Sequence, residues 1–148
     1  MLLRKLQELA DCDQVELFPF HYSAIFPIAT FLVGATIAVN VNINNEADFV
    51  IRQSQVTAWS AAGVLVPAPD VTVSLFDTGS GRNWQDQPQH IANVLGTGQL
   101  PFLWPEAVKL AGGSVLTVSA TNIGPAAMLM YVTFSGMKVY LRSGYNRY

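Results

Sequence analysis

Apolar residues recur at helical spacing at the start of the chain. Leu2, Leu6 and Leu9 lie three or four positions apart, and charged residues fall largely between them. This spacing predicts a short amphipathic helix over residues 2–10. Because a helix of this length is marginal alone, its apolar stripe is expected to dock on its own domain or on a neighbour. The Phe-Pro-Phe-His-Tyr sequence at 18–22 predicts an extended arm, since proline disfavours helix in the preceding residue.

Beyond residue 35 the period of apolar positions changes from that of a helix to that of a strand. In residues 36–44, isoleucine and valine alternate with threonine, alanine and asparagine. This alternation predicts a strand with one dry face and one wet face. Further strands are predicted at 49–59, 71–75, 114–120, 127–134 and 137–141.

Glycine, proline and asparagine separate the predicted strands. Residues 96–105 contain two glycines and two prolines and are predicted to be irregular, and Ser135-Gly136 is predicted to be a tight turn. About six or seven strands divided by such turns are typical of an antiparallel β-sandwich. We therefore predict an all-β, jelly-roll-like sandwich at 25–148, preceded by a helix and extended arm at 1–24. One domain is the expectation for 148 residues.

Composition removes several classes of function. Charged residues make up 12% of the chain, against about 25% in an ordinary globular protein. The net charge of −2 argues against a nucleic-acid partner. The apolar segment at 25–41 is interrupted by Pro27, Gly34 and Asn40, so no membrane span is expected. The charged residues of 1–13 do not fit a signal peptide, so the expected location is the cytoplasm or an assembly formed there.

Residues that carry chemistry are sparse. The single cysteine, Cys12, excludes an internal disulfide framework and a cysteine zinc site. His21 and His90 lack metal-ligand spacing. We therefore expect no cofactor, no metal and no enzymatic activity.

An Asp-Thr-Gly-Ser sequence begins at Asp77, where a predicted strand ends. It matches the core of aspartic proteases, in which two carboxylates share one proton. With one such motif in the chain, that enzyme would be a homodimer with Asp77 catalytic, and Asp77→Asn would abolish cleavage. The competing interpretation is a polar turn, because Asp and Ser bond neighbouring amides and glycine tolerates positive φ. We favour the turn, since a short match built from turn-forming residues is weakly specific.

Aromatic residues lie near predicted strand ends and loops. Most are expected to fill the core, but tryptophan and tyrosine are also enriched at protein interfaces. The segment 140–148 has that interface composition. A sugar-binding module that uses Trp59, Trp84 or Trp104 is a further alternative.

Four segments of the second half carry a resemblance to a known group of proteins. They are an Asp-Thr-Gly-Ser-Gly-Arg turn at 77–82, a Gly-x-Gly-x-x-Pro connection at 96–101, a strand closing on Thr-Asn at 114–122, and a final hairpin with Gly-Met-Lys-Val-Tyr at 131–140. In these the chain resembles small structural proteins of tailed-phage particles. The resemblance implies a capsid decoration or cement protein, a sandwich or jelly roll that assembles as a dimer or trimer and clamps neighbouring capsomers. It implies no catalytic residues.

The resemblance therefore implies a virion structural protein that forms homo-oligomers and binds the major capsid protein. Such a protein stabilises the shell because it binds only the assembled state. A neck, collar or tail-adaptor protein is the alternative within the virion. The expected interface residues are Leu2, Leu3, Leu6, Leu9, Phe18 and Phe20 in the arm, and Trp104, Tyr145 and Tyr148 at the rim.

Overall fold

The computed structural model of the chain describes residues 1–11 and 15–141, without the side chains of 9–11. Ten strands and two helices lie within these residues. In chain order they are α1 Leu2–Asp11, β1 Val15–Phe26, β2 Thr36–Asn42, β3 Asp48–Ser60, β4 Leu65–Val66, β5 Val71–Asp77, β6 Arg82–Asn83, β7 Gln89–His90, α2 Ile91–Val94, β8 Phe102–Leu110, β9 Val115–Asn122 and β10 Met128–Leu141.

The strands form two antiparallel sheets. The first sheet has the order β1-β10-β3, and both β4 and β8 pair with β3. The second sheet has the order β2-β9-β5, and both β6 and β7 pair with β5. One hydrophobic core joins the two sheets, which confirms the predicted all-β antiparallel sandwich with a short N-terminal helix. Neither described helix is long and apolar enough to cross a membrane.

The core is built from alternate residues of the long strands. Side chains of a strand point in turn to opposite faces, so each strand contributes every second residue to the interior. A fully buried valine, leucine or phenylalanine contributes roughly 1.5–3 kcal/mol relative to an exposed one. Core residues include Phe26, Phe49, Val56, Val71, Val73, Leu75, Leu116, Val118, Met130, Val132 and Phe134.

Residues 15–26 belong to the sandwich and are not an arm outside it. β1 pairs with β10 along its whole length, from Val15 opposite Leu141 to Phe26 opposite Met130. The extended conformation expected at 18–22 is present, but the segment is held in the sheet because Ala24 and Phe26 are buried in the core. The sandwich therefore begins at Val15, and the predicted boundary at residue 24 is wrong.

The predicted turn at Ser135-Gly136, and with it the predicted final hairpin, is also wrong. β10 runs straight through these residues, and the register between β10 and β3 shifts there. Ser135 lies opposite Gln53 and Gly136 opposite Ile51, so Arg52 is an extra residue on β3. A Cβ at position 136 would overlap the carbonyl oxygen of Val50. The glycine thus permits a close backbone approach at a bulge.

The predicted irregular segment at 96–105 contains the start of a strand, β8. Its pairing with β3 breaks between Leu103 and Val108 and then resumes. Pro105 lies in that unpaired stretch, where no ladder hydrogen bond is lost to it. Pro101 and Pro105 therefore led to the prediction of an irregular segment where the structure contains the start of β8.

The apolar stripe of α1 docks on the chain's own first sheet. Leu2, Leu3 and Leu6 pack against a second buried cluster, which consists of Val15, Val50 and Val139 with the partly buried Leu17 and Ala107. On the solvent side, Arg4 pairs with Glu8 at 3.2 Å, an exposed contact that contributes little to stability. The predicted helix is confirmed, and Leu2, Leu3 and Leu6 of its stripe pack on the sandwich itself.

Candidate interaction surface on the first sheet

The alternation that fills the core also defines the outer face of the first sheet. His21, Ser135 and Gln53 form one cross-strand row of this face. Parallel rows follow along the strands toward Ile25, Trp59 and Leu129, and none of their side chains on β1, β10 and β3 is an acid, a lysine or an arginine. On these three strands the outer face is formed by Pro19, His21, Ser23 and Ile25 of β1, Gln53, Gln55, Thr57 and Trp59 of β3, and Leu129, Tyr131, Thr133, Ser135 and Met137 of β10.

A cleft of about 660 Å³ lies at one end of this face, beside α1. It exists because β8 carries four residues between its paired positions Leu103 and Val108, whereas β3 carries only Arg52 between Gln53 and Ile51. Trp104 and Leu103 line the cleft on the β8 side, and Leu3 of α1 lines it as well.

The polar side chains that line the cleft include the imidazole of His21, the hydroxyl of Ser135, the guanidinium of Arg52 and the carboxamide of Gln53. His21 Nδ1 lies 2.8 Å from Ser135 Oγ, and Arg52 is exposed on the bulge. No lining residue of the cleft is an aspartate or glutamate. Among the residues that the structure describes as lining the cleft, none supplies a carboxylate that would orient the imidazole of His21 as in a catalytic triad. The arrangement is suited to binding a carboxylate or another anion.

Trp104 is anchored in the wall of the cleft. Its indole Nε1 donates to Ser54 Oγ at 3.2 Å, and that hydroxyl donates to the carbonyl of Leu95 at 3.1 Å. Trp84 and Phe102 each stack edge-on against Trp104, with ring centroids 5.4 and 5.5 Å away. Fixed aromatic side chains lose little entropy when a partner binds.

An aromatic patch lies at the other end of the outer face. We define it as Ile25, Ile28, Trp59, Leu129 and Tyr131. The rings of Trp59 and Tyr131 meet at 90° with their centroids 5.7 Å apart, and Ile25 lies opposite Tyr131 in the sheet register. Ile28, Trp59, Leu129 and Tyr131 line a shallow depression of about 480 Å³. Ile25 is 46% exposed, and the other four side chains are partly buried. Apolar side chains that remain accessible together on a surface are typical of protein interaction sites.

The structure brings together only part of the predicted interface. Leu3 and Trp104 line the same cleft, whereas Leu2 and Leu6 lie in the cluster beneath α1. Phe18 is 56% exposed, and Phe20 is half-buried against the core. The side chains of Leu9, Tyr145 and Tyr148 lie outside the described residues. None of the aromatic patch was among the predicted interface residues.

Asp77 performs the role that the turn interpretation assigns to it. Its carboxylate accepts hydrogen bonds from the amides of Gly79 at 2.8 Å and Ser80 at 3.2 Å. Gly81 adopts a φ of 66°, and β5 and β6 pair across this turn. Trp59 is separate from the touching pair Trp84 and Trp104, so the three tryptophans do not form a single platform.

Lys138 is a buried cation that sequence reasoning did not single out. Its side chain is 4% exposed, and Nζ lies 3.3 Å from Glu46 Oε1 and 4.0 Å above the ring centroid of Phe20. Burial acts to lower the pKa of Lys138, but the hydrogen bond to Glu46 and the nearby Tyr22 and Tyr140 outweigh it, so the pKa is raised. The hydrogen bonds from Lys138 and Asn44 lower the pKa of Glu46. Within the described ranges, no three His, Cys, Asp or Glu side chains converge in a way that could hold a metal ion.

The sequence and the structure were compared with those of known proteins. No protein-family model and no curated protein matches the sequence. Among solved structures the chain is similar to a crystal structure of the infectious bursal disease virus VP2 subviral particle, with 13% identity and a TM-score of 0.28 over 88% of this chain and 43% of that chain. A structure of the infectious bursal disease virus Gt strain gives 12% identity and a TM-score of 0.27 over 88% and 42%. This chain spans less than half the length of those chains.

Proposed function

We propose that this protein is a virion structural subunit, a decoration or cement protein that binds the major capsid protein through the outer face of its first sheet. The aromatic patch is the observation that carries the proposal. The resemblance of residues 77–82 and 96–101 to tailed-phage structural proteins supports the same conclusion.

The composition of the face suits a docking role. Trp59 and Tyr131 supply large rigid apolar surface, and burial of such surface contributes roughly 25 cal/mol per Å². The neighbouring row of Ser23, Thr133 and Gln55 is polar but uncharged. Its hydroxyls and amides can bond to a partner without the desolvation cost of a buried ion.

The mechanism would be mass action on the assembled shell. A subunit that contacts two capsomers binds only when both are in place, so its binding free energy is added to the stability of the shell. The many copies of such a site on a particle would allow many copies of this chain to bind.

The experiment is the copy number of this chain in purified particles of its source, measured by quantitative mass spectrometry. We expect a number comparable to that of the shell protein. A few copies per particle would contradict the decoration role and favour the neck, collar or tail-adaptor alternative. Absence from particles would overturn the virion function altogether.

A further inference from the structure

β2 is the edge strand of the second sheet and pairs only with β9 among the described strands. The amide of Ile43 donates to Ser114 at 2.9 Å, and the carbonyl of Ala35 accepts from Asn122 at 3.1 Å. Because bonded pairs alternate along an antiparallel ladder, the odd-numbered residues of β2 bond to β9. The N–H and C=O groups of the even-numbered residues therefore point away from the sheet. These residues are Thr36, Ala38, Asn40 and Asn42.

The free edge of β2 lacks the features that usually protect an edge strand. Its sequence, Thr-Ile-Ala-Val-Asn-Val-Asn, contains no charge and no proline, and its register with β9 is continuous. Exposed edges are normally guarded by lysine, proline or a bulge. β1, the edge of the first sheet, is guarded in this way by Pro19 and Glu16. Ile37 and Val39 point inward but are only half-buried at the open edge.

We propose that β2 pairs antiparallel with β2 of a second copy of this chain, about a two-fold axis at Val39. This register places Thr36 opposite Asn42 of the second copy and Ala38 opposite Asn40. All four outward-pointing residues then form bonded pairs, which gives about eight backbone hydrogen bonds across the axis.

The second copy fits because the edge is complementary to itself. A two-fold interface places the same surface on both sides, and this edge contains donors and acceptors in equal number and no charges to repel each other. In the dimer, the second sheets of the two copies form one continuous sheet. The partly buried Ile37 and Val39 become more buried. The inference concerns contacts between copies and does not depend on the proposed capsid partner.

The first test is Ala38→Pro in the full chain, with the molar mass measured by sedimentation equilibrium. Proline at 38 removes an outward N–H that β9 does not use, so the fold should survive. We expect a wild-type dimer and a dissociation constant raised about tenfold or more in the variant, because two symmetry-related hydrogen bonds are lost and the rings obstruct the approach. Ala38→Ser keeps the N–H and should dimerise like the wild type.

The second test fixes the register and does not depend on whether Ala38→Pro folds. In a Cys12→Ser background, Val39→Cys should oxidise to a disulfide-linked dimer, because a non-bonded pair places the two Cα atoms about 4.5 Å apart. Ile37→Cys lies opposite residue 41 of the second copy and should form no disulfide-linked dimer under the same conditions. A monomeric wild type, a dimer unaffected by Ala38→Pro, or cross-linking at 37 and not at 39 would overturn the inference. A monomeric wild type that still binds particles would leave the proposed function standing.

Discussion

At the scale of single residues, Lys138 is a buried cation of β10 that lies beside the loop joining β2 and β3. Its side chain is buried, its ammonium lies over the ring of Phe20, and its partner Glu46 is exposed to solvent. Its contacts with Glu46 and Phe20 stabilise the buried ammonium, because an unpaired charge in the interior is costly.

The pH dependence of stability should follow from the two shifted pKa values. The pKa of Glu46 is lowered from 4.5, so its contribution is present above pH 4.5 and is lost as the pH falls through the folded value. The pKa of Lys138 is raised from 10.5, so its contribution is present below pH 10.5 and is lost as the pH rises through the folded value. The pair should therefore stabilise the fold fully between these limits.

Replacing Lys138 by methionine should abolish both of these contributions. The side chains have similar volume, so we expect the free energy of unfolding at pH 7 to change by less than about 1.5 kcal/mol. Urea denaturation between pH 3 and 11 should show a flatter profile for Lys138→Met than for the wild type, and Lys5→Met on the exposed face of α1 should follow the wild type. A difference between Lys138→Met and wild type that is the same at every pH would contradict this account.

Other residues show why local pattern misleads at irregular positions. Ser135-Gly136 has turn composition, yet the glycine is needed because the backbone of Val50 lies against it. That contact joins residues far apart in the sequence, so the spacing of apolar and polar positions along the chain cannot predict it. Likewise, alternation predicted Arg52 as an ordinary strand position, whereas it is the extra residue of a bulge.

At the scale of elements, strands with one buried face were predictable. β2, β5 and β9 alternate regularly, because burial of one face imposes a period of two. β1 and β8 were not identified as strands, since their prolines and interrupted pairing hide the alternation. Which elements pair is also invisible locally: the aromatic patch exists only because β1, β10 and β3 align in one register.

A single substitution that introduces a charged side chain tests the docking of α1 on the first sheet. Leu6→Glu places a carboxylate among Val50 and Val139. We expect α1 to detach and the free energy of unfolding to fall by roughly 1–3 kcal/mol. Hydrogen exchange should accelerate at residues 2–11 and remain slow in β9 and β10, whereas Lys5→Glu on the exposed side should leave both unchanged. Unaltered exchange in α1 of the Leu6→Glu variant would contradict the packing.

Because β1 belongs to the first sheet, the role of residues 1–22 in binding is tested better by point substitutions than by deletion. Deleting residues 1–22 would remove the first eight residues of β1 as well as the helix. Such a deletion would damage the sheet, so loss of capsid binding would not identify an arm contact. Point substitutions in α1 separate the two effects.

At the scale of the whole molecule, the two outer faces differ in chemistry. The first sheet presents the aromatic patch and the cleft, whereas the second presents threonine, serine and asparagine, with Thr36 bonded to Thr121 at 2.7 Å and Thr117 to Asn40 at 2.9 Å. We propose that the capsid binds the outer face of the first sheet and that a second copy binds the free edge of β2, so both contacts can form at once.

Binding of two lysine variants to purified particles tests the central claim most directly. Ile25 in the aromatic patch is 46% exposed, and Phe76 on the outer face of the second sheet is 38% exposed, which makes them a matched pair. Ile25→Lys should weaken binding about tenfold or more, because a charge must be desolvated at the centre of the contact, while Phe76→Lys should bind like the wild type. Full binding by Ile25→Lys, or loss of binding only in Phe76→Lys, would contradict the assignment of the first sheet as the docking face.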